Sequence, residues 1–258
     1  MANQQSAKYT IMVTLIMCIV ASILVASSAV LLKPAQVANK ALDFKTNVLK
    51  IAGIYDPAQS IEAQFEKVEV KIVDLSTGKF TDAIADVERF DQTASAKKSD
   101  LSEKLSPEVD IAKIIRRENF AKVFLVKDEN GLSKVILPVR GYGLWSTMSG
   151  FIALDKDLNT ILGFGFYDQK ETPGLGGEVD NPKWKQLWIG KHVYSESGSV
   201  KLSVVKGHVD DSTPDANYKV DGLSGATLTS DGVSRLVKFW MGDNGFKPFL
   251  INLKNGEA

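Results

Sequence analysis

The chain has 258 residues, with 31 Lys and Arg against 31 Asp and Glu, so its zero net charge gives no reason to expect nucleic acid or another polyanionic partner. The single cysteine, Cys18, excludes an internal disulfide framework and a thiolate metal cluster. The two histidines, His192 and His208, are far apart in sequence and read as ordinary surface or packed residues rather than as a zinc site.

Residues 1–10 form a short tail with one lysine, Lys8. Ile11 to Leu32 then reads IMVTLIMCIVASILVASSAVLL, 22 residues without a charge. At about 1.5 Å per residue this run crosses a hydrocarbon core about 30 Å thick. Ser27-Ser28-Ala29 would pass as a signal-peptide cleavage site, but a signal h-region is only about 7–15 residues long. An uncleaved transmembrane anchor is therefore expected over residues 11–32. Cys18 follows Met17 in mid-segment, which argues against a lipoprotein cysteine. Lys8 on one side and Lys33 and Lys40 on the other leave the orientation open. No second run of that length follows.

Val37–Tyr55 carries apolar residues at helical spacing and stops at Asp56-Pro57, which predicts a juxtamembrane helix. IEAQFEKV predicts a second short helix, and VEVKIVDL with STGKF a strand and turn. The polar segment 91–109 predicts a surface loop. From Ala121 the pattern turns to β. KVFLV and SKVILPV flank a Gly-containing turn, and GFIALD and TILGFGFYD flank KDLN, predicting two hairpins. NPKWKQLWIG predicts a short helix ended by Gly190, and SVKLSVV a further strand. SDGVSRLVKFWMG closes as a helix with Ser230 at its N-cap and Val233, Leu236, Val237 and Trp240 on one face. Strands and helices mix without a βαβ repeat, so the fold class is α+β. Residues 33–120 are expected to form the juxtamembrane helix and the first part of the soluble region, and residues 121–258 its second part.

No G-x-G-x-x-G in a strand–turn–helix setting, Walker loop or G-x-S-x-G is present, so a nicotinamide site or hydrolase triad is not indicated. Three glycine-containing segments remain. RGYGLWSTMSG (140–150) offers the flat faces of Tyr142 and Trp145, or is simply an aromatic turn. QKETPGLGG (169–177) has the irregular backbone of a ligand loop, with Glu171 and Thr172 as polar groups and Leu175 as an apolar one, or is a plain turn. DGLSGATLTSDGV (221–233) places Ser224 and Thr227 around Gly225 and Ala226 just before a helix. By its physics alone it reads first as a capped helix after a serine turn. It also suits a phosphate, held by free N–H groups at the positive end of the helix dipole.

DGLSGATLTS resembles the flavinylation signature of the FMN-binding domain family, Asp-x-x-Ser/Thr-Gly-Ala-Thr. YGLWS (142–146) and ETPGLGG (171–177) resemble that family's flavin-pocket segments, in the same order, and the resemblance covers roughly residues 140–242. It implies that a flavin transferase splits FAD and attaches FMN through its phosphate to Thr227, with Asp221 opening the motif and Ser224, Gly225, Ala226 and Leu228 around the attachment. Trp145 and Leu175 would cover the ring, and Glu171 and Thr172 would hydrogen-bond near it. Many relatives have a histidine two residues before the Glu of that loop, where this chain has Gln169.

Together with the anchor, the resemblance extends to FMN-carrying subunits of Na⁺-translocating NADH:quinone reductases. It implies an electron relay within a six-subunit bacterial inner-membrane complex acting on ubiquinone, with the soluble part periplasmic. In such a relay this chain supplies no catalytic acid, base or metal ligand. An Rnf-type ferredoxin:NAD oxidoreductase subunit, an anchored flavin sensor and a structural adaptor are the alternatives. The span carries no acidic residue that would bind Na⁺, so ion transport would belong to the assembly.

Overall fold

The computed structural model describes residues 7–129 and 131–258. Helix α1 runs unbroken over Ala7–Ile51, 45 residues, so the predicted span and juxtamembrane helix are one element. It continues through Pro34, which gives up the hydrogen bond to the carbonyl of Val30. The chain divides into two compact units between Phe44 and Lys45. In the first, Ile11, Leu15, Ile19, Ile23, Val25 and Leu31 all face outward. A helix in water would bury such a surface, whereas a bilayer accepts it, so the helix fits a single-pass anchor.

The second unit begins with the last turns of α1, where Val48 and Leu49 are fully buried. Helix α2 (Ile61–Phe65) follows, capped by Ser60, whose side chain accepts from Ala63 N. The main sheet then takes β1 (Val68–Asp74), β2 (Lys79–Phe80), β5 (Phe120–Asp128), β6 (Gly131–Tyr142), β7 (Thr147–Asp155) and β8 (Ile161–Asp168). Its order is β2-β1-β5-β6-β7-β8, and every pair is antiparallel. The two predicted hairpins are β5–β6 and β7–β8, both longer than their apolar cores suggested. Pro138 stands in β6 beyond the last β5 partner, Ile136, opposite Phe124. Because β1 pairs with β5, the sheet runs across the boundary expected at residue 120.

Segment 91–109 is more ordered than its polarity suggested. It holds helix α3 (Gln92–Ser95) and strand β3 (Ser102–Lys104), which pairs with β4 (Arg116–Glu118). The reason is a buried ionic knot. Glu118 is fully buried, accepts from Arg140 Nη2 at 2.6 Å and from Gln92 Nε2 at 2.6 Å, and so anchors the surface segment to the sheet. SVKLSVV supplies only β9 (Ser203–Val205), which pairs in parallel with β10 (Lys219–Asp221). Helix α4 (Pro182–Gln186) is capped by Asn181 and followed by turns to Gly190.

Helix α5 (Thr227–Trp240) packs against β6 and β9. Its face Val233, Leu236, Val237 and Trp240 is buried as the spacing predicted, and Trp240 Nε1 donates to the carbonyl of Arg140 at 2.6 Å. Its start differs from expectation. The N-cap is Ala226, and Ser230 lies inside the helix, where its Oγ accepts from Leu223 N at 3.0 Å. The serine's hydroxyl folds the SGAT turn back onto the helix, so the helix begins one turn earlier. Helix α6 (Lys247–Asn255) ends the fold at Gly256.

Candidate functional site

The site is assembled around one carboxylate. Glu171, on the loop after β8, is only 5 % exposed. Its Oε1 accepts from the backbone N–H groups of Leu144 (3.1 Å), Trp145 (3.0 Å) and Ser146 (3.3 Å), in the turn between β6 and β7. Its Oε2 accepts from Thr229 Oγ1 at 2.7 Å, in the first turn of α5. Three segments far apart in sequence are thus tied through one buried anion. Burial makes each of these charge-assisted bonds strong and makes the carboxylate dependent on them.

Two of the motif glycines serve this knot rather than a ligand. A methyl on Gly143 would come within 2.6 Å of Glu171 Oε1, and one on Gly176 within 2.5 Å of Thr229 Oγ1. Gln169 extends the same network. Its Oε1 accepts from Glu171 N at 2.6 Å, and its Nε2 donates to Asp180 Oδ2 at 2.8 Å. The amide therefore shapes the loop here by hydrogen bonds that do not titrate.

With Glu171 occupied inside, the outward surface is left to apolar groups. Trp145 is 65 % exposed, Leu175 44 % and Leu228 57 %, one from each of the three tied segments. Thr172 is exposed beside Leu175, and its carbonyl closes the loop by accepting from Leu175 N and Gly177 N. Large exposed apolar side chains held on a rigid base suit a flat heterocycle.

The SGAT turn adjoins them. Gly225 has φ +71°, a left-handed conformation that favours glycine, and a methyl there would lie 3.0 Å from Leu175 Cδ2. Ser224 and Thr227 are exposed, whereas Ala226 is buried under them. Thr227 is the first residue of α5, and Ala226 has no side chain to accept from the first N–H groups. The positive end of the helix is thus open beside an exposed hydroxyl.

Thr227 also lines an open groove of about 430 Å³, reached by Lys206, His208, Asp221, Ser224 and Asp231. Asp221 Oδ2 lies 2.6 Å from His208 Nδ1, and its Oδ1 accepts from Val209 N at 2.9 Å. The hydrogen bond that His208 donates to the Asp221 carboxylate, with the charge of that carboxylate, holds the imidazole above the usual histidine range. The Asp221 carbonyl accepts from Trp184 Nε1 at 2.9 Å, and Trp184 packs on Phe164 and Trp188 in the core.

Sequence reasoning placed Thr227, Ser224, Gly225, Ala226, Leu228, Trp145, Thr172 and Leu175 at this surface, and the structure brings them to one loop cluster. Glu171 differs from expectation: its carboxylate faces inward as the clamp. Thr229, Lys206, His208 and Asp231 were missed. Thr229 had a signal, since a second hydroxyl two residues after Thr227 on a helix faces a different side.

The residues present fit FMN. An open helix terminus and a hydroxyl suit its phosphate, and exposed apolar side chains beside them suit its ring. The comparisons with known proteins agree. The FMN-binding domain family matches residues 143–242. The C subunit of the Na(+)-translocating NADH-quinone reductase (NqrC) of Pseudomonas aeruginosa is 50 % identical over 262 residues, covering 100 % of both chains. That of Vibrio alginolyticus is 44 % identical over 99 % of this chain and 98 % of its own. The crystal structure of Shewanella oneidensis NqrC superposes with a TM-score of 0.78 at 38 % identity, covering 84 % of this chain and 99 % of that one. Identity of this extent over the whole length, with the same fold, shows that the chain belongs to the NqrC family of Na(+)-translocating NADH-quinone reductase subunits.

Proposed function

We propose that this chain carries FMN covalently, as a phosphoester to Thr227, and relays electrons inside a membrane Na⁺-translocating NADH:ubiquinone oxidoreductase. The observation that carries the reading is the exposed Thr227 hydroxyl at the uncapped start of α5, with Leu175 lying against Gly225 next to it. A phosphoester there takes the place of the missing cap, since phosphate oxygens accept from the free N–H groups.

FMN, when bound, supplies one- and two-electron transfer through its ring. The chain's residues do the rest. Trp145, Leu175 and Leu228 shield part of the ring from water, Thr172 offers a hydroxyl at its edge, and Glu171 keeps their loops in register. Ser224, Gly225 and Ala226 hold the attachment turn. A tether at Thr227 keeps the carrier at one place in the complex, which raises its effective concentration for neighbouring redox centres. In this reading residues 121–258 form the flavin-carrying part, and residues 45–120 of the same unit brace it. A flavin transferase installs the group, and α1 anchors the chain among the other subunits of a six-subunit inner-membrane assembly, with the second unit on the periplasmic side.

The test is intact mass together with in-gel flavin fluorescence after denaturation, for wild type and Thr227→Ala, each co-expressed with a flavin transferase. Wild type gains the mass of one FMN and fluoresces, and Thr227→Ala does neither. Wild type without added mass, under conditions that modify a known acceptor, would overturn the reading.

A further inference from the structure

The groove beside Thr227 contains charged groups that attachment of a flavin does not by itself require. Lys206 and Asp231 reach it, as does the His208–Asp221 pair. Among the described residues Lys206 has no ion-pair partner. Asp221 is already used twice, by the His208 ring and by the Val209 N–H. Its hold on Nδ1 leaves the Nε2 edge of the ring, which has no hydrogen-bond partner among the described residues.

We propose that Lys206 and His208 form the cationic wall of the phosphoryl site at Thr227, with Asp221 as the residue that positions the His208 ring. The proposal rests on the reading of Thr227 as the FMN acceptor. Three observations support it together: the shared groove, the unpaired lysine, and an imidazole fixed at one nitrogen by a carboxylate of the same motif that contains the threonine.

The charges that face His208 decide the sign of the effect. Asp221 on β10 holds its ring, and Asp210, two residues after His208, adds negative charge. Of these anions only Asp221 lines the groove itself, where Asp231 on α5 is the second, and among the described residues Lys206 is its one lysine or arginine. With His208 neutral the groove itself is net negative. With His208 protonated it is balanced. A phosphodiester on Thr227 adds one further negative charge, so it favours the protonated ring. By linkage the protonated ring favours the phosphodiester equally. His208 and Thr227 are thus energetically coupled across the groove, which gives the carboxylate that opens the DGLSGAT motif a physical role.

The chain has only two histidines, so the test is clean. The full-length protein, labelled at histidine Cε1 and held in detergent micelles, is titrated by NMR in the FMN-bearing form and as Thr227→Val, after intact mass has established which chains carry the group. The His208 midpoint is expected to lie about half a pH unit higher in the FMN-bearing chain, the effect of one negative charge across a solvated groove. Raising salt to about 0.5 M shortens the screening length and shrinks that difference. His192, whose backbone N–H donates to Asn217 O and whose ring faces Tyr218, lies outside the groove lining and supplies the reference resonance. In Asp221→Asn the His208 midpoint falls in both forms, while the difference between them persists. A modified chain whose His208 midpoint matches that of Thr227→Val within about 0.1 pH unit would overturn the coupling. A chain with no added mass would sink the reading of Thr227, and this inference with it.

Discussion

Replacing Glu171 by Gln changes one atom and removes one charge at the point where the three site segments meet. The carboxylate accepts from Leu144 N at 3.1 Å, Trp145 N at 3.0 Å, Ser146 N at 3.3 Å and Thr229 Oγ1 at 2.7 Å, at 5 % exposure. In Glu171→Gln the amide oxygen can still face the three backbone donors, and the amide nitrogen can donate to the Thr229 hydroxyl. The shape is kept, and what is lost is charge assistance. A bond to a charged acceptor contributes about 1.5–3 kcal/mol and a neutral one about 0.5–1.5 kcal/mol, and the four share one charge, so a net loss of about 2–4 kcal/mol is expected. Glu171→Ala leaves the donors buried without partners and costs about 3–5 kcal/mol. The assay is denaturant unfolding of the full chain in micelles, followed by tryptophan fluorescence, with covalent flavin measured in parallel. Glu171→Gln unfolding within about 0.5 kcal/mol of wild type would refute the clamp as a source of stability. A double-mutant cycle with Thr229→Val isolates the 2.7 Å contact, and a coupling of about 1–2 kcal/mol is expected.

Thr227→Val removes the acceptor hydroxyl from an exposed helix start and is expected to abolish flavin attachment while shifting unfolding by no more than about 0.5 kcal/mol. Gly176→Ala places a methyl 2.5 Å from Thr229 Oγ1 and 2.9 Å from Glu171 Oε2, and is expected to cost about 1–3 kcal/mol in denaturant unfolding and to lower flavin occupancy. Trp145→Ala, at a side chain 65 % exposed, is expected to leave unfolding unchanged and to increase quenching of the bound flavin by a soluble quencher such as iodide. The His208–Asp221 pair gives a pH dependence of definite sign. The folded imidazole titrates above its unfolded value, so its stabilisation is fully present below the unfolded value and is lost as pH rises through the folded one. Hydrogen exchange at Val209 and Gly222 is expected to quicken, after correction for the intrinsic rate, as pH rises through that window, and Asp221→Asn removes the change.

The sequence by itself determined those features whose cause is local. An uncharged run of 22 residues has to be satisfied by a bilayer whatever follows it, and it lies within one helix with its side chains facing outward. Alternation bounded by turn residues placed β5 to β8, and the 3.6-residue period of α5 named its buried face. The family of the site was also legible, because its three motifs recur in order. Tertiary structure decided what depends on partners distant in the chain. The N-cap moved from Ser230 to Ala226 because the Ser230 hydroxyl accepts from Leu223 N instead of capping. The polar segment 91–109 became ordered because the buried Glu118, paired with the half-buried Arg140, holds Gln92. Glu171 turned inward because three amides and a hydroxyl converge where only its two oxygens are available. His208 met Asp221 because β9 and β10 pair in parallel and bring the ends of both strands to one side of the motif. A periodicity records which face of an element is buried, but a buried charge selects its partners by distance in space, and that distance exists only once the chain has closed on itself.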